Sequence, residues 1–141
     1  MQSLRDLKLI FEQTKTIAVV GLSKNPARPS HSVPQYLKDR GYRIIPVNPM
    51  AEELLGQKSY PDVRAIPEAI DVVQIFRKPE EVPAIVEDAI AVGAKVIWMQ
   101  LGLVHERAAK RARSAGLQVV MDRCMRATHR ELNLGMPKSK K

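Results

Sequence analysis

Five short apolar runs recur along the chain, each followed by glycine or polar residues and then by a segment with helical spacing. They are Ile17 to Val20; Ile44, Ile45 and Val47; Val72 to Phe76; Val96 to Met99; and Leu117 to Met121. Runs that are apolar throughout, rather than alternating, suit strands covered on both faces, as in a parallel sheet. Between them, Val33, Tyr36 and Leu37 fall three or four residues apart, as do Val82, Ile85, Val86, Ala89 and Ile90, and then Val104, Ala108, Ala112 and Ala115. This spacing predicts three helices, closed by Gly41, Gly93 and Gly116. Leu4, Leu7, Ile10 and Phe11 predict a leading helix over about residues 3–12 capped by Ser3, and residues 126–134 predict a last one. The polar stretch from Asn48 to Asp71 carries at most a helical turn near Glu52 to Leu55 and another at Pro67 to Ile70.

Strand and helix alternate five times. That pattern predicts an α/β, Rossmann-like, doubly wound five-stranded parallel sheet with helices on both faces, and 3-2-1-4-5 is the strand order expected. One domain is expected over residues 1–135, with residues 136–141 a basic, flexible tail. No stretch approaches the ~20 apolar residues of a membrane span, and nothing resembles a signal peptide. The single cysteine, Cys124, excludes an internal disulfide and fits a reducing, cytoplasmic setting.

A formal charge of +8 points towards polyanionic partners, either nucleic acid or a small ligand with several phosphates. The charge is dispersed, however. Lys138, Lys140 and Lys141 lie in the tail, and Lys110 to Arg113 form the solvated face of an alanine-backed helix. With two Phe, one Trp and three Tyr, the chain has little material for stacking bases, which argues against nucleic acid.

In a doubly wound sheet, ligands bind beyond the carboxyl ends of the strands. After the first run, Gly21, Leu22, Ser23 and Lys24 open a loop that continues to Arg28, Pro29, Ser30, His31 and Ser32. Ser30 is expected as the helix N-cap, with Pro34 early enough in the helix to do little harm. Free amides, a helix dipole and two cations at one point make a phosphate cradle. The other strand ends offer Val47, Asn48 and Pro49; Phe76, Arg77 and Lys78; Gln100, Leu101 and Gly102; and Asp122, Arg123 and Cys124. There is no GxGxxG, and Asn48 stands where a nicotinamide site presents an acid. NAD is therefore disfavoured, and NADP less so. Cys124 is read as a small packing residue, His31 as a phosphate partner, and His105 and His129 as surface residues. No metal-ligand spacing and no oriented catalytic base are evident.

Taken together, AVVGLSKNPARPSHSV, YRIIPVNP, LGQKSYPDV, IDVVQIFRKPEEVP, GAKVIWMQLG and VVMDRC give the chain a family resemblance. It resembles the small stand-alone CoA-binding proteins, whose domain is similar to the nucleotide-binding domain of the succinyl-CoA synthetase alpha subunit. One departure is Thr128, where the family often places an acid before the histidine, here His129. The resemblance implies coenzyme A or an acyl-CoA as ligand. Gly21 to Lys24 and Arg28 to Ser32 would hold its phosphates. Val47, Asn48, Pro49, Phe76, Arg77 and Lys78 would flank its adenosine, and Gln100 to Gly102 would lie towards the pantetheine arm. The larger ligases of this kind keep their chemistry on further domains, so a binding module without catalytic residues is expected. The alternatives are an NADP-dependent oxidoreductase or nucleotide-sensing regulator, and a basic nucleic-acid-binding protein.

Overall fold

The computed structural model describes residues 2–134; the tail expected over 136–141 lies outside them. The chain begins with α1 (Leu4–Gln13), whose first turn is closed by a reciprocal Ser3–Asp6 capping box. Leu7, Ile10 and Phe11 of α1 are buried, while Leu4 stays exposed. Then come β1 (Thr16–Val20), α2 (Pro29–Asp39) and β2 (Arg43–Val47). A two-residue hairpin follows, β3 (Glu53–Leu54) with β4 (Gln57–Lys58). After it come β5 (Val72–Ile75), α3 (Val82–Ala91), β6 (Val96–Met99), α4 (Glu106–Ser114), β7 (Gln118–Val120) and α5 (Met125–Glu131).

The expected five-stranded parallel sheet is present, in the order β2-β1-β5-β6-β7. Counted over its own five strands this is 2-1-3-4-5, and the expected 3-2-1-4-5 is corrected. The third strand joins β1 on the side away from β2, with Ile17 registered against both Ile44 and Val72. Asp71 shows why. Its carboxylate accepts from the amides of Lys15 (2.9 Å) and Thr16 (3.0 Å), which pins the start of β5 to the start of β1. The connection from β2 buries Val63, Ile66 and Ile70 with α3 and α4, on the face opposite α2. When the direction of winding reverses, right-handed crossovers change face in this way.

Two apolar layers result. Tyr36 and Leu37 of α2, Phe11 of α1 and Met125 of α5 cover one face of the sheet; Val82, Val86, Ala108 and Ala112 of α3 and α4 cover the other. The alanines behind Lys110 to Arg113 are buried and Arg111 pairs with Glu87 at 2.7 Å, in keeping with a solvated helix face. Two local expectations are corrected. Residues 53–58 form the hairpin rather than a helical turn, reversing through positive φ at Leu55 and Gly56. The turn expected at Pro67 lies earlier, at Val63–Ala65, where the Asp62 carboxylate caps the Ala65 amide at 3.0 Å.

Candidate functional site

Because the order reverses at β1, the switch point lies between β1 and β5, where a crevice opens beyond the strand ends. Gly21 is what lets the two strands end so close together, at a φ of 92° that side chains other than glycine's rarely allow. Beyond it the cradle loop is knit to itself. The Asn25 amide donates to Ser23 Oγ and the Ala27 amide to Asn25 Oδ1, each over 3.0 Å.

Ser23 is also clamped to α2 at both ends of its backbone. Pro34 lies inside α2 and has no amide, so the Ser30 carbonyl lacks its helical partner and instead accepts from the Ser23 amide at 3.1 Å. His31 Nδ1 meets the Ser23 carbonyl at 2.7 Å; a carbonyl only accepts, so Nδ1 carries the hydrogen. In this structure His31 is thus a latch on the loop.

Ser30 is not the N-cap. The position belongs to Arg28, which makes no side-chain cap bond, because Pro29 holds the φ of a first helical residue and keeps the residue before it extended. Ser30 falls one residue inside the helix, and among the described residues its amide has no acceptor. A free backbone donor therefore stands at the start of α2.

The crevice has two compartments that meet at Arg77. The larger, about 570 Å³, is lined by Arg28, Pro29, Ser30, Phe76, Arg77, Gln100, Leu101, Gly102 and Cys124 from the sequence-predicted set. Ile75, Pro79, Leu103 and Arg126 complete it. The smaller, about 170 Å³, is lined by Gly21, Val47, Asn48 and Pro49, with Pro61, Asp62, Val63, Glu81, Ile85 and Asp88 beyond the prediction. Leu22 is fully buried. His31 and Ser32 face a separate basin between α2 and α5. Ser23, Lys24 and Lys78 line none of these three hollows.

Charge is distributed unevenly. Arg77 is held by Glu81 through two 3.0 Å contacts. Among the described residues Arg28 and Arg126 have no carboxylate within salt-bridge distance, so they are the uncompensated cations of the larger compartment. Arg126 carried no pattern of its own in the sequence; it is found only because α5 starts beside the strand end. Arg123, by contrast, turns to Glu131 and Thr128, each at 3.3 Å.

Asn48 is engaged structurally, donating from Nδ2 to the Leu22 carbonyl (3.0 Å) and accepting at Oδ1 from the Met50 amide (2.8 Å). It ties the end of β2 to the cradle. Cys124 is the half-buried N-cap of α5, its Sγ 3.5 Å from the Ala127 amide. His105 caps α4 through the Ala108 amide at 3.1 Å. His129 is corrected from surface to core: it is fully buried, with Nδ1 2.9 Å from Tyr36 Oη and aromatic edges from Phe11, Tyr36 and Tyr42. A tyrosine from α2, not an acid at position 128, partners this histidine. Among the described residues no cluster of metal-ligating side chains occurs, and no helix is long and apolar enough to cross a membrane.

Comparisons with known proteins add to this geometry. The family described as a CoA binding domain matches residues 15–130. YneT of Bacillus subtilis is 42% identical over 124 residues, 88% of this chain and 92% of YneT. A protein of Pyrococcus horikoshii OT3 superposes with a TM-score of 0.92 at 43% identity, covering 94% of each chain. The ADP-forming acetate–CoA ligase II of Archaeoglobus fulgidus is 33% identical over 92 residues, which are 64% of this chain but 14% of the ligase.

Proposed function

This chain belongs to the CoA-binding domain family, and from that premise we propose that it binds coenzyme A, free or acylated, in the crevice at the strand ends, as a binding module. One observation carries the mode. The Ser30 amide, without an acceptor at the start of an eleven-residue helix, stands beside the unpaired Arg28 at the mouth of the larger compartment. Backbone donor, helix dipole and guanidinium converge there on an anion, and the pyrophosphate of CoA is the group they suit.

From that anchor the ligand extends two ways. The adenosine lies towards the smaller compartment, beside Val47, Asn48 and Pro49. The pantetheine arm follows the larger one, whose walls include Ile75, Phe76, Leu101 and Leu103 and which ends near Cys124 and Arg126. An apolar trough suits a flexible arm better than a second nucleotide, which would leave its ribose hydroxyls against apolar walls. The setting is cytoplasmic, where CoA is available as a free thiol. The acetate–CoA ligase activity of the archaeal relative belongs to a protein of which this chain matches a small part, and no residue here is assigned a catalytic step.

The test is a thermal-shift and calorimetric panel of CoA, dephospho-CoA, NADPH and oligonucleotides. CoA is expected to stabilise the fold, by an amount that grows with the logarithm of its concentration above Kd. A larger shift with NADPH would favour the oxidoreductase reading. Retention of oligonucleotides with steep salt dependence, and no response to CoA, would favour nucleic acid.

A further inference from the structure

Gln100 directly follows β6, lines the larger compartment and is only 5% exposed. Its carboxamide cannot be turned either way round. Oε1 lies 3.0 Å from the Met125 amide, a group that can only donate, so the oxygen must face α5 and Nε2 must face away. A second neighbour agrees with this: Gln74, buried beneath it, points Nε2 at Gln100 Oε1 (3.5 Å) and at Met125 Sδ (3.3 Å). Among the described residues Gln100 Nε2 then has no acceptor, and unlike Gln74 Oε1 it is not sealed from solvent. A buried side chain is therefore held rigidly by its oxygen while its donor end opens on the cleft that it lines. An amide donor kept in such a place costs free energy unless something accepts from it.

We propose that Gln100 is a specificity-determining residue of the ligand site, and that its N–H group donates to an amide carbonyl oxygen of the pantetheine arm. The proposal rests on the crevice being the CoA site. The donor is uncharged and so suits a neutral carbonyl acceptor, while the unpaired cations Arg28 and Arg126 suit the anionic groups. Among the walls named above, an apolar trough with one fixed side-chain donor matches an arm of aliphatic segments joined by two amides.

The substitution that isolates this role is Gln100→Glu. It keeps an oxygen for the Met125 amide, and hence the start of α5, while deleting the donor. Calorimetry compares CoA with adenosine 3′,5′-bisphosphate, which has the nucleotide end and no pantetheine. The variant is expected to bind CoA about tenfold more weakly, the worth of one such hydrogen bond, and the bisphosphate as the wild type does. Undiminished CoA affinity would overturn the proposal. So would an equal loss for both ligands, which would mark a general effect of the added charge.

If the variant does not fold, the wild type still decides. The ¹⁵N side-chain amide signals of Gln100 should move with CoA and stay in place with the bisphosphate, and no movement with bound CoA would refute the proposal. A wild type that binds neither ligand would overturn the site reading itself, a result distinct from failure of the Gln100 role alone.

Discussion

Gly21 and Phe76 come so close that a Cβ built on Gly21 would stand 2.7 Å from the Phe76 carbonyl oxygen and 2.8 Å from Arg77 Cδ. The ends of β1 and β5 converge there, at the wall shared by the two compartments. Gly21→Ala must move the Phe76 backbone and displace the Arg77 side chain, which pairs with Glu81, and it also places a side chain at a φ of 92°. The expected cost is about 2–4 kcal/mol from left-handed backbone and clash together. Urea unfolding measures it, and an unchanged midpoint would contradict the contact.

Arg28, Arg126 and Lys24 should separate in a binding assay. The first two line the larger compartment without carboxylate partners, whereas Lys24 is exposed and lines neither compartment. Arg28→Ala is expected to weaken CoA binding by about 1–3 kcal/mol, as loss of a charge-assisted hydrogen bond, and Arg126→Ala by a smaller amount. Lys24→Ala should cost no more than about 0.5 kcal/mol, acting through screened long-range charge alone. Equal effects of Arg28→Ala and Lys24→Ala in calorimetry would mean that the loop as a whole, rather than the helix start, holds the phosphates.

Tyr42 sets an alkaline limit. Burial, with the neighbouring Tyr36 adding to it, pushes its hydroxyl up from 10.0 to about 12. The folded state therefore holds this proton more tightly than the unfolded chain does. That contribution is complete below pH 10 and is lost as the pH rises to about 12, to a total of about 3 kcal/mol at most. Urea midpoints measured across this window should fall more steeply for the wild type than for Tyr42→Phe. Parallel curves would assign the alkaline loss to other groups.

Cys124 is placed for thiol exchange with the ligand, since it lines the larger compartment next to Arg126. With CoA disulfide, the Cys124 thiolate attacks one sulfur, a protein–CoA disulfide forms, and the second CoA departs as its thiolate. Intact-protein mass spectrometry should show one adduct that reductant removes and Cys124→Ser abolishes. No adduct at saturating ligand would place the CoA thiol away from Sγ, while leaving reversible binding through the cradle intact.

What the sequence determined by itself was the set of sheet strands and α-helices and one contiguous loop at their ends. Apolar runs and helical spacing are local properties, so the five strands and five helices could be read from residue order. The loop proposed as a cradle was legible for the same reason, since Gly21 to Ser32 follow one another along the chain. Its details shifted by a residue or two where Pro29 started the helix before Ser30. Tertiary structure alone decided what depends on distant partners. Alternating strand and helix says nothing about which side of β1 the third strand takes; Asp71 settles it by capturing the amides of Lys15 and Thr16, more than fifty positions away. His129 left no sign of burial in the sequence, because Tyr36, which meets its ring, lies 93 positions earlier. Arg28 and Arg77 were read from the sequence and line the cleft, but the rest of its charge was not legible. Lys24 and Lys78 sit among the predicted residues and line neither compartment, while Arg126 reaches the larger one because β7 delivers α5 to that edge of the sheet. Charge can be read along a chain, but its direction is set by the packing of elements that the chain brings together only when it folds.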